Sequence, residues 1–240
     1  MFHKLYKTIL TEVCCLCDTQ GLPGLDLCHE CHISLPHNHF SCSRCAVPVV
    51  FTPDFNSNRL CGRCLSTASD IHEAIVPYLY RPPIDFMIKR LKFSEENKFS
   101  RLLGNLLSDA VERHYNDESR QDFPDIVLPV PVHRQRLLER GFNQAEQIAR
   151  TVTDRFGIRL DTTSVARSVL MLPQSSLSAA KREANIRRAF EVREPEHIRG
   201  LHVAIVDDVY TTGATARAVS RRLKSAGARR ISLWAVARTP

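Results

Sequence analysis

The sequence predicts an α/β protein with a mostly parallel sheet, preceded by a small cysteine-rich module. All nine cysteines lie before residue 65, and short apolar runs alternate with helical patterns after residue 70. Residues 203–219, VAIVDDVYTTGATARAV, join an apolar run to two carboxylates, a hydroxyl-rich loop and a helical pattern. Short apolar strands separated by helices are typical of a parallel sheet that is buried on both faces.

Composition and charge divide the 240-residue chain near residue 70. Residues 1–70 carry 5 Lys and Arg against 6 Asp and Glu, whereas residues 71–240 carry 28 against 20. We therefore predict two domains, 1–70 and 71–240. The basic second domain suits an anionic ligand, either phosphate or nucleic acid, and a solvated basic surface is the other interpretation.

The sequence disfavours membrane and secreted proteins. No apolar run approaches the ~18 residues that a membrane span needs, and the first residues contain no long apolar h-region. We expect no membrane insertion, no secretory signal and a cytoplasmic location. In a reducing compartment, cysteines are more often metal ligands than disulfide partners.

Eight of the nine cysteines form four C-x-x-C pairs within 14–64. A tight turn with this spacing directs two sulfurs at one ion, and two such turns complete a tetrahedral thiolate shell. The pattern predicts two structural zinc ions with no open coordination position. The predicted ligand sets, taken in chain order, are Cys14, Cys17, Cys28 and Cys31, and then Cys42, Cys45, Cys61 and Cys64.

Other interpretations of these cysteines stay open. In a cross-braced arrangement the first and third pairs would share an ion, but pairing of neighbours closes shorter loops and is favoured. Residues 28–32 match the C-x-x-C-H pattern of c-type haem attachment, yet four pairs together favour zinc. Cys15 breaks the spacing and is interpreted as a bystander. A module this small would draw most of its stability from the metal.

After residue 70 the periodicity of apolar residues defines the predicted elements. Strands are predicted at 74–80, 125–132, 202–208 and 230–237, and helices at 84–93, 99–115, 143–156 and 214–227. Asn143 with Glu146 three residues later is typical of a helix start, and Gly157 of a helix end.

The opening stretch predicts a ligand site. In open parallel sheets ligands bind beyond the carboxyl ends of the strands, where Asp207 and Asp208 are expected. These carboxylates can accept hydrogen bonds from the vicinal hydroxyls of a sugar. The loop 211–215 leads into a helix whose N-terminus favours a phosphate, and Gly213 permits close backbone approach. We predict a cradle for ribose 5-phosphate; a strand that ends in a turn with an Asp cap is the structural alternative.

Several segments resemble a known family. VAIVDDVYTTGATA is similar to the phosphoribosyl pyrophosphate motif of type I phosphoribosyltransferases. ERGFNQAEQIA (139–149), QSSLSAAKREANIRRAF (174–190) and WAVART (234–239) resemble the ComF/GntX family of competence and DNA-utilisation proteins. The cysteine block is similar to that family's N-terminal double zinc ribbon. The resemblance covers essentially the whole chain and implies a type I phosphoribosyltransferase-like sheet with helices on both faces.

The resemblance also implies roles for individual residues. Asp207 and Asp208 would hold the ribose hydroxyls. The loop that would bind the 5′-phosphate consists of Thr211, Thr212, Gly213, Ala214 and Thr215. The pyrophosphate would lie at a turn formed by Val130, Pro131, Val132 and His133. Arg134, Arg136 and Arg140 follow this turn, and arginine suits phosphate oxygens because it donates in a bidentate fork. Asn143 is either a helix cap or a ligand contact.

Residues 171–190 correspond to the mobile hood that covers the site in the superfamily. Its candidate functional residues are Gln174, Lys181, Arg182 and Asn185, and Lys181 and Arg182 are the catalytic candidates beside the Asp pair. An exposed loop with solvated charges is the alternative. Lys89 and Lys92 would face nucleic acid or water.

Three functions are compatible with these features. The first is a phosphoribosyltransferase that displaces pyrophosphate onto an unassigned acceptor, with Mg²⁺ neutralising the charge of the leaving group. The second is a binding module that senses phosphoribosyl pyrophosphate (PRPP) or binds single-stranded DNA. For DNA binding, the basic domain is better suited than the slightly acidic cysteine module. The third is an adaptor for DNA-uptake proteins. The sequence identifies neither the acceptor nor the oligomeric state.

Overall fold

The computed structural model describes residues 12–50, 59–93, 97–116, 122–168, 186 and 189–240. Its strands are β1 (Glu73–Ile75), β2 (Tyr78–Leu79), β3 (Ile126–Pro129), β4 (Arg159–Leu160), β5 (Val165–Arg167), β6 (Phe190–Val192), β7 (His202–Tyr210) and β8 (Arg230–Arg238). Its helices are α1 (His29–Ile33), α2 (Gly62–Ser66), α3 (Ile84–Phe93), α4 (Asn97–Tyr115), α5 (Arg134–Arg140), α6 (Gln144–Phe156) and α7 (Ala214–Ser225).

The central sheet is parallel, as predicted. Its strands follow the order β1, β8, β7, β3, β4, and β2 continues the edge by pairing with the far end of β8. The antiparallel ribbon of β5 and β6 is separate from this sheet. Strands β7 and β8, at nine residues each, form the centre.

Helices cover both faces of the sheet. Ala204 and Val206 of β7 belong to a core shared with α3, α4 and α6, whereas Val203 and Ile205 belong to a core shared with α7 and Phe190. Side chains alternate across a strand, so a strand covered on both faces must be apolar at consecutive positions. This requirement explains the run VAIV that begins at residue 203.

Several predicted boundaries agree with the structure. Helix α3 spans 84–93, as its periodicity predicts. Helix α6 begins after Asn143, whose side chain accepts a hydrogen bond from the Ala145 amide at 3.1 Å, and ends at Gly157, which is left-handed with φ of 66°. The cap interpretation of Asn143 is therefore confirmed.

Two strand predictions were wrong in detail. The predicted strand 74–80 is two strands, β1 and β2, separated by Val76 and Pro77, because proline cannot donate to a ladder. Strand β7 also does not end at the Asp pair. It continues to Tyr210 because β8 runs alongside, pairing Asp207 with Ala235 and Tyr210 with Arg238.

The cysteine module packs against the rest of the chain. Cys14, Leu27 and Leu35 lie in the same apolar core as Ile88 and Leu103. Backbone hydrogen bonds add to this contact: the Asn38 amide donates to Pro77 and the Ala74 amide donates to Ser43, each at 2.7 Å. The module thus lies along the β1–β2 edge of the sheet. The domain boundary near residue 70 stays a prediction.

Candidate functional site

The Asp pair lies where β7 extends beyond its neighbour β3. The β3–β7 ladder ends at Pro129 and Val206, and the Val130 amide then donates to the Val206 carbonyl at 2.8 Å. Asp207 and Asp208 follow directly and are partly exposed. The carboxylate of Asp207 accepts from the Asp208 amide at 2.9 Å, and that of Asp208 from the Val209 amide at 2.8 Å. These bonds fix each side chain against its own strand, at the edge where the sheet opens.

The loop after β7 requires a glycine at position 213. Gly213 takes φ of 75° and directly precedes α7. A Cβ atom at this position would lie 2.7 Å from Oη of Tyr210, whose ring is buried beneath the loop. Thr211 and Thr212 are exposed, and the hydroxyl of Thr212 accepts from the Ala214 amide at 3.4 Å. The loop is thus a backbone-lined helix N-terminus with hydroxyls on its outer side, which suits a phosphate.

The turn after β3 is held close to the Asp pair. Val130 is buried, and its carbonyl accepts from the side-chain amide of Asn143 at 3.1 Å. His133 then caps α5, with its Nδ1 accepting from the Gln135 amide at 3.2 Å. Pro131 and Val132 are half-buried between these two anchors. Asn143 therefore serves the site by fixing the turn as well as by capping α6.

Arg167 is a candidate site residue that was not predicted from the sequence. It ends β5, and its guanidinium lies over the Phe190 ring at 5.5 Å. Burial lowers the pKa of Arg167 and the charge of nearby Arg136 lowers it further, whereas the charge of Asp207 raises it. Its buried Nε has no hydrogen-bond partner within the described part of the chain. Arg136 and Arg167 are thus two guanidiniums in the neighbourhood of Asp207, and such a pair suits an anionic ligand.

Other predicted residues lie elsewhere or outside the description. Arg140 donates to Gln144 at 3.4 Å at the end of α5. Lys89 forms an ion pair with Asp85 at 2.7 Å on the surface of α3, and Lys92 lies in the same helix. Lys181 and Arg182, with Gln174 and Asn185, fall outside the described residues. In the sequence, β5 and β6 lie on either side of these four residues.

The eight paired cysteines form two tetrads in chain order. The first tetrad is Cys14, Cys17, Cys28 and Cys31, and the second tetrad is Cys42, Cys45, Cys61 and Cys64. Within each tetrad all sulfurs lie within 4.8 Å of one another. This pairing is the neighbouring one, not the cross-braced one, and Cys15 belongs to neither set.

The geometry of each tetrad fits zinc. The sulfur of Cys17 lies 3.6 Å from the sulfurs of Cys28 and Cys31, and the sulfurs of Cys45 and Cys61 are also 3.6 Å apart. A tetrahedron with metal–sulfur bonds of ~2.3 Å has edges of about 3.8 Å, so one ion could fill each set. The Cys31 amide lowers the pKa of the Cys28 thiol to about 6 by hydrogen bonding to its sulfur. Such donors favour the thiolate, which is the metal-binding form.

Arg238 connects the second tetrad to the loop after β7. Its Nε donates to the carbonyl of Cys45 at 3.2 Å, and its Nη1 donates to the carbonyl of Tyr210 at 3.0 Å. The same guanidinium lies 5.0 Å from the centre of the Tyr210 ring. Because Tyr210 also lies against Gly213, one side chain spans the distance from a cysteine of the second tetrad to the loop before α7.

Comparisons with known proteins agree with this geometry. Residues 97–240 match the phosphoribosyl transferase domain family. The DNA utilization protein YhgH of Escherichia coli O6:H1 is 32% identical over 228 residues, covering 91% of this chain and 98% of that protein. Competence protein F of Haemophilus influenzae is 31% identical over 179 residues, covering 74% and 78%. Competence protein ComFC of Bacillus subtilis is 22% identical over 245 residues, covering 94% and 91%.

The parallel sheet, the Asp pair and the loop before α7 define a domain of the phosphoribosyltransferase class. The chain belongs to the phosphoribosyl transferase domain family and, within it, to the ComF/GntX family of competence and DNA-utilisation proteins. None of the helices in the described part of the chain has both the length and the hydropathy that a membrane span requires.

Proposed function

We propose that this protein binds phosphoribosyl pyrophosphate, or a related ribose 5-phosphate, with Mg²⁺ and acts in DNA uptake, competence or DNA utilisation. The observation that carries the proposal is the Asp207–Asp208 pair followed by the loop that begins α7, at the carboxyl edge of the parallel sheet. The names of the relatives support the cellular role. The two cysteine tetrads would hold structural zinc, which suits a cytoplasmic protein.

Each part of the site has one task in this proposal. The Asp pair accepts hydrogen bonds from the ribose hydroxyls, and the amides and hydroxyls of 211–215 donate to the 5′-phosphate. Arg136 and Arg167 bind the pyrophosphate from the side of the turn at 130–133. When bound, Mg²⁺ would neutralise charge on the pyrophosphate and ribose oxygens. The domain 71–240 would carry this site, and the module 1–70 would support it.

Calorimetric titration of PRPP with Mg²⁺ tests the pocket. Asp207→Asn together with Asp208→Asn keeps the size of both side chains but removes their charge. We expect binding to weaken by on the order of 2–4 kcal/mol, as charge-assisted hydrogen bonds are lost. Asp154→Asn is the matched control, because Asp154 is an exposed carboxylate on α6 away from the site. A folded Asp pair variant that binds like wild type would refute the cradle.

Two further variants separate the subsites. Thr212→Val should weaken ribose 5-phosphate itself by about 1 kcal/mol, since it removes one hydroxyl donor to the phosphate. Arg167→Gln should weaken PRPP but not ribose 5-phosphate, because only PRPP carries the pyrophosphate. Equal losses for both ligands in the Arg167 variant would place that side chain at the phosphate or the ribose instead.

Turnover decides between an enzyme and a binding module. A pyrophosphate-release assay over candidate nucleobase acceptors should detect product if the site transfers the phosphoribosyl group. If PRPP binds but no acceptor causes release of pyrophosphate, the pocket would act as a sensor of PRPP. In that case single-stranded DNA and DNA-uptake proteins would be the partners to test, by measuring their affinity with and without PRPP.

A further inference from the structure

A second pocket lies at the opposite, amino edge of the sheet, between the cysteine module and the starts of β1 and β8. Its volume of about 430 Å³ is within the range of small-molecule sites. Glu73 and Arg230, the first residues of β1 and β8, line it from the sheet. Ser41, Ser43 and Arg59 line it from the cysteine module. Nothing in the proposed PRPP site uses these residues.

The negative charge of the buried carboxylate in this pocket is already compensated by its partners. Glu73 accepts hydrogen bonds from Ser232 at 2.7 Å and Tyr115 at 2.9 Å, and its other oxygen lies 3.1 Å from Nε2 of His114. Arg230 approaches the same side chain at 3.2 Å. Burial alone would raise the pKa of Glu73, but these hydrogen bonds and the Arg230 charge hold it well below its usual range. Glu73 therefore offers little repulsion to an incoming anion.

The second carboxylate that lines the pocket is also paired. Asp122 lies 3.0 Å from Nη2 of Arg229 and 3.7 Å from Nη1 of Arg230. Both acidic groups thus have cationic partners. The remaining charged and polar groups of the lining are mainly donors.

Three donor groups of the lining are not bound by either carboxylate. Arg59 is exposed and takes φ of 39°, an uncommon conformation for a residue with a side chain, and no carboxylate pairs with it among the described residues. Nδ1 of His72 accepts a hydrogen bond from the Ile231 amide at 3.1 Å. The other ring nitrogen, Nε2, is therefore the one that can carry a proton and donate. The buried Nε of Arg230 has no hydrogen-bond partner within the same described residues. Ser41 and Ser43 add two hydroxyls.

We propose that this pocket binds a phosphate monoester of up to mononucleotide size. A guanidinium, an imidazole N–H and two hydroxyls match the several acceptor oxygens of a phosphate. The polar lining disfavours an apolar ligand, and the volume admits a sugar and a base beside the phosphate. A ligand bound here would contact both the cysteine module and the sheet. This pocket lies at the amino edge of the sheet, opposite the edge that carries the Asp pair.

Proton NMR of the full-length zinc-loaded protein tests the proposal, with the ring signals of His72 and His114 as local reporters. The probes are inorganic phosphate and deoxyadenosine 5′-monophosphate. We expect both to shift these signals, and we expect Arg59→Gln to weaken the response at least about tenfold through loss of a charge-assisted bond. Arg63→Gln is the matched control, because Arg63 is an exposed arginine of the same module that does not line the pocket.

Equal affinity in the Arg59 and Arg63 variants would overturn the proposal, as would signals that stay unmoved at about 10 mM of either probe. Tighter binding of the nucleotide than of phosphate identifies a nucleotide as the ligand, and equal binding identifies free phosphate. If the Arg59 variant loses zinc, Ser43→Ala replaces it, with an expected weakening of about fivefold. Because the reporters lie far from the Asp pair, PRPP binding and this site are measured separately.

Discussion

The two cysteine tetrads attach to the rest of the protein in different ways. The first tetrad lies beside α4: Cys14 packs into the helical core, and Asp26 binds Arg101 through contacts of 2.7 and 2.8 Å. The second tetrad lies beside the ends of β7 and β8, where Arg238 joins Cys45 to Tyr210. Two tetrads built from the same C-x-x-C pairs therefore contact different parts of the protein. The first tetrad anchors the module to the helices, and the second contacts the loop before α7 through Arg238.

The largest difference should follow from removing one ligand of each tetrad. Cys61→Ser and Cys17→Ser should each reduce zinc from about two to about one per chain, because thiolate sites bind weakly when incomplete. Only Cys61→Ser should also weaken PRPP, by at least about tenfold, since only the second tetrad contacts the loop through Arg238.

Elemental analysis and calorimetry measure both effects, with Cys15→Ser as the control that keeps about two zinc ions. Equal loss of PRPP binding in the Cys17 and Cys61 variants would show that the module supports the site as a whole, and the distinction between the tetrads would be lost.

The next largest effect should come from Gly213→Ala, which disturbs the loop before α7 directly. The new Cβ would meet Tyr210 Oη at 2.7 Å, and this ring cannot move freely because Arg238 lies over its face. We expect a loss of about 2–4 kcal/mol in the free energy of unfolding, from the clash and the left-handed backbone. Gly141 has φ of 79° but no atom near the added Cβ, so Gly141→Ala should cost only the backbone strain. Thermal denaturation of both variants separates the cost of the clash, with Tyr210 and Arg217, from the cost of the backbone strain.

Arg238→Gln tests the connection itself. It removes hydrogen bonds to Cys45 and Tyr210, and we expect a loss of about 2 kcal/mol in unfolding free energy with a severalfold weaker affinity for PRPP. Arg238→Lys should rescue little, since a single ammonium cannot reproduce the fork that reaches both carbonyls. Full zinc content with reduced PRPP affinity is the expected signature. Unchanged affinity would mean that the loop holds its position without the second tetrad.

Arg101→Gln should give the smallest effect. The Arg101 side chain is 62% exposed, although its partner Asp26 is only 12% exposed. Exposed ion pairs contribute little, so we expect about 1 kcal/mol in unfolding free energy and no change in zinc content or PRPP affinity. A clear loss of PRPP binding here would contradict the view that the first tetrad serves only as an anchor.

Sequence patterns predicted those parts of the fold whose signals are local. Helix α6 carries its own start and stop residues in Asn143 and Gly157, and β7 and β8 are apolar because both faces are buried. The tetrads follow from residue spacing alone. Helix α5 was missed because it buries none of its residues, so apolar periodicity gives no signal there.

The missed parts of the site depend on contacts between distant segments. Arg167 lies near enough to Asp207 to feel its charge because the ribbon of β5 and β6 carries it there, and its own neighbours in sequence give no indication of a site. Likewise, the strand was predicted to end at the Asp pair because local sequence does not show that β8 extends alongside it to Tyr210. The residue types of the proposed cradle can be read from the sequence, whereas their partners on other elements cannot.

The position of β8 also bears on how the protein folds. This strand lies between β1 and β7 in the sheet, yet it follows every other described strand in the sequence. The hydrogen bond between Ser232 and Glu73 joins residues 159 positions apart. Such non-local pairing requires closure of a long loop before any contact is gained, which slows folding. The edge strands β1 and β2, against which the cysteine module packs, therefore acquire their only sheet partner in the described chain when the last strand inserts.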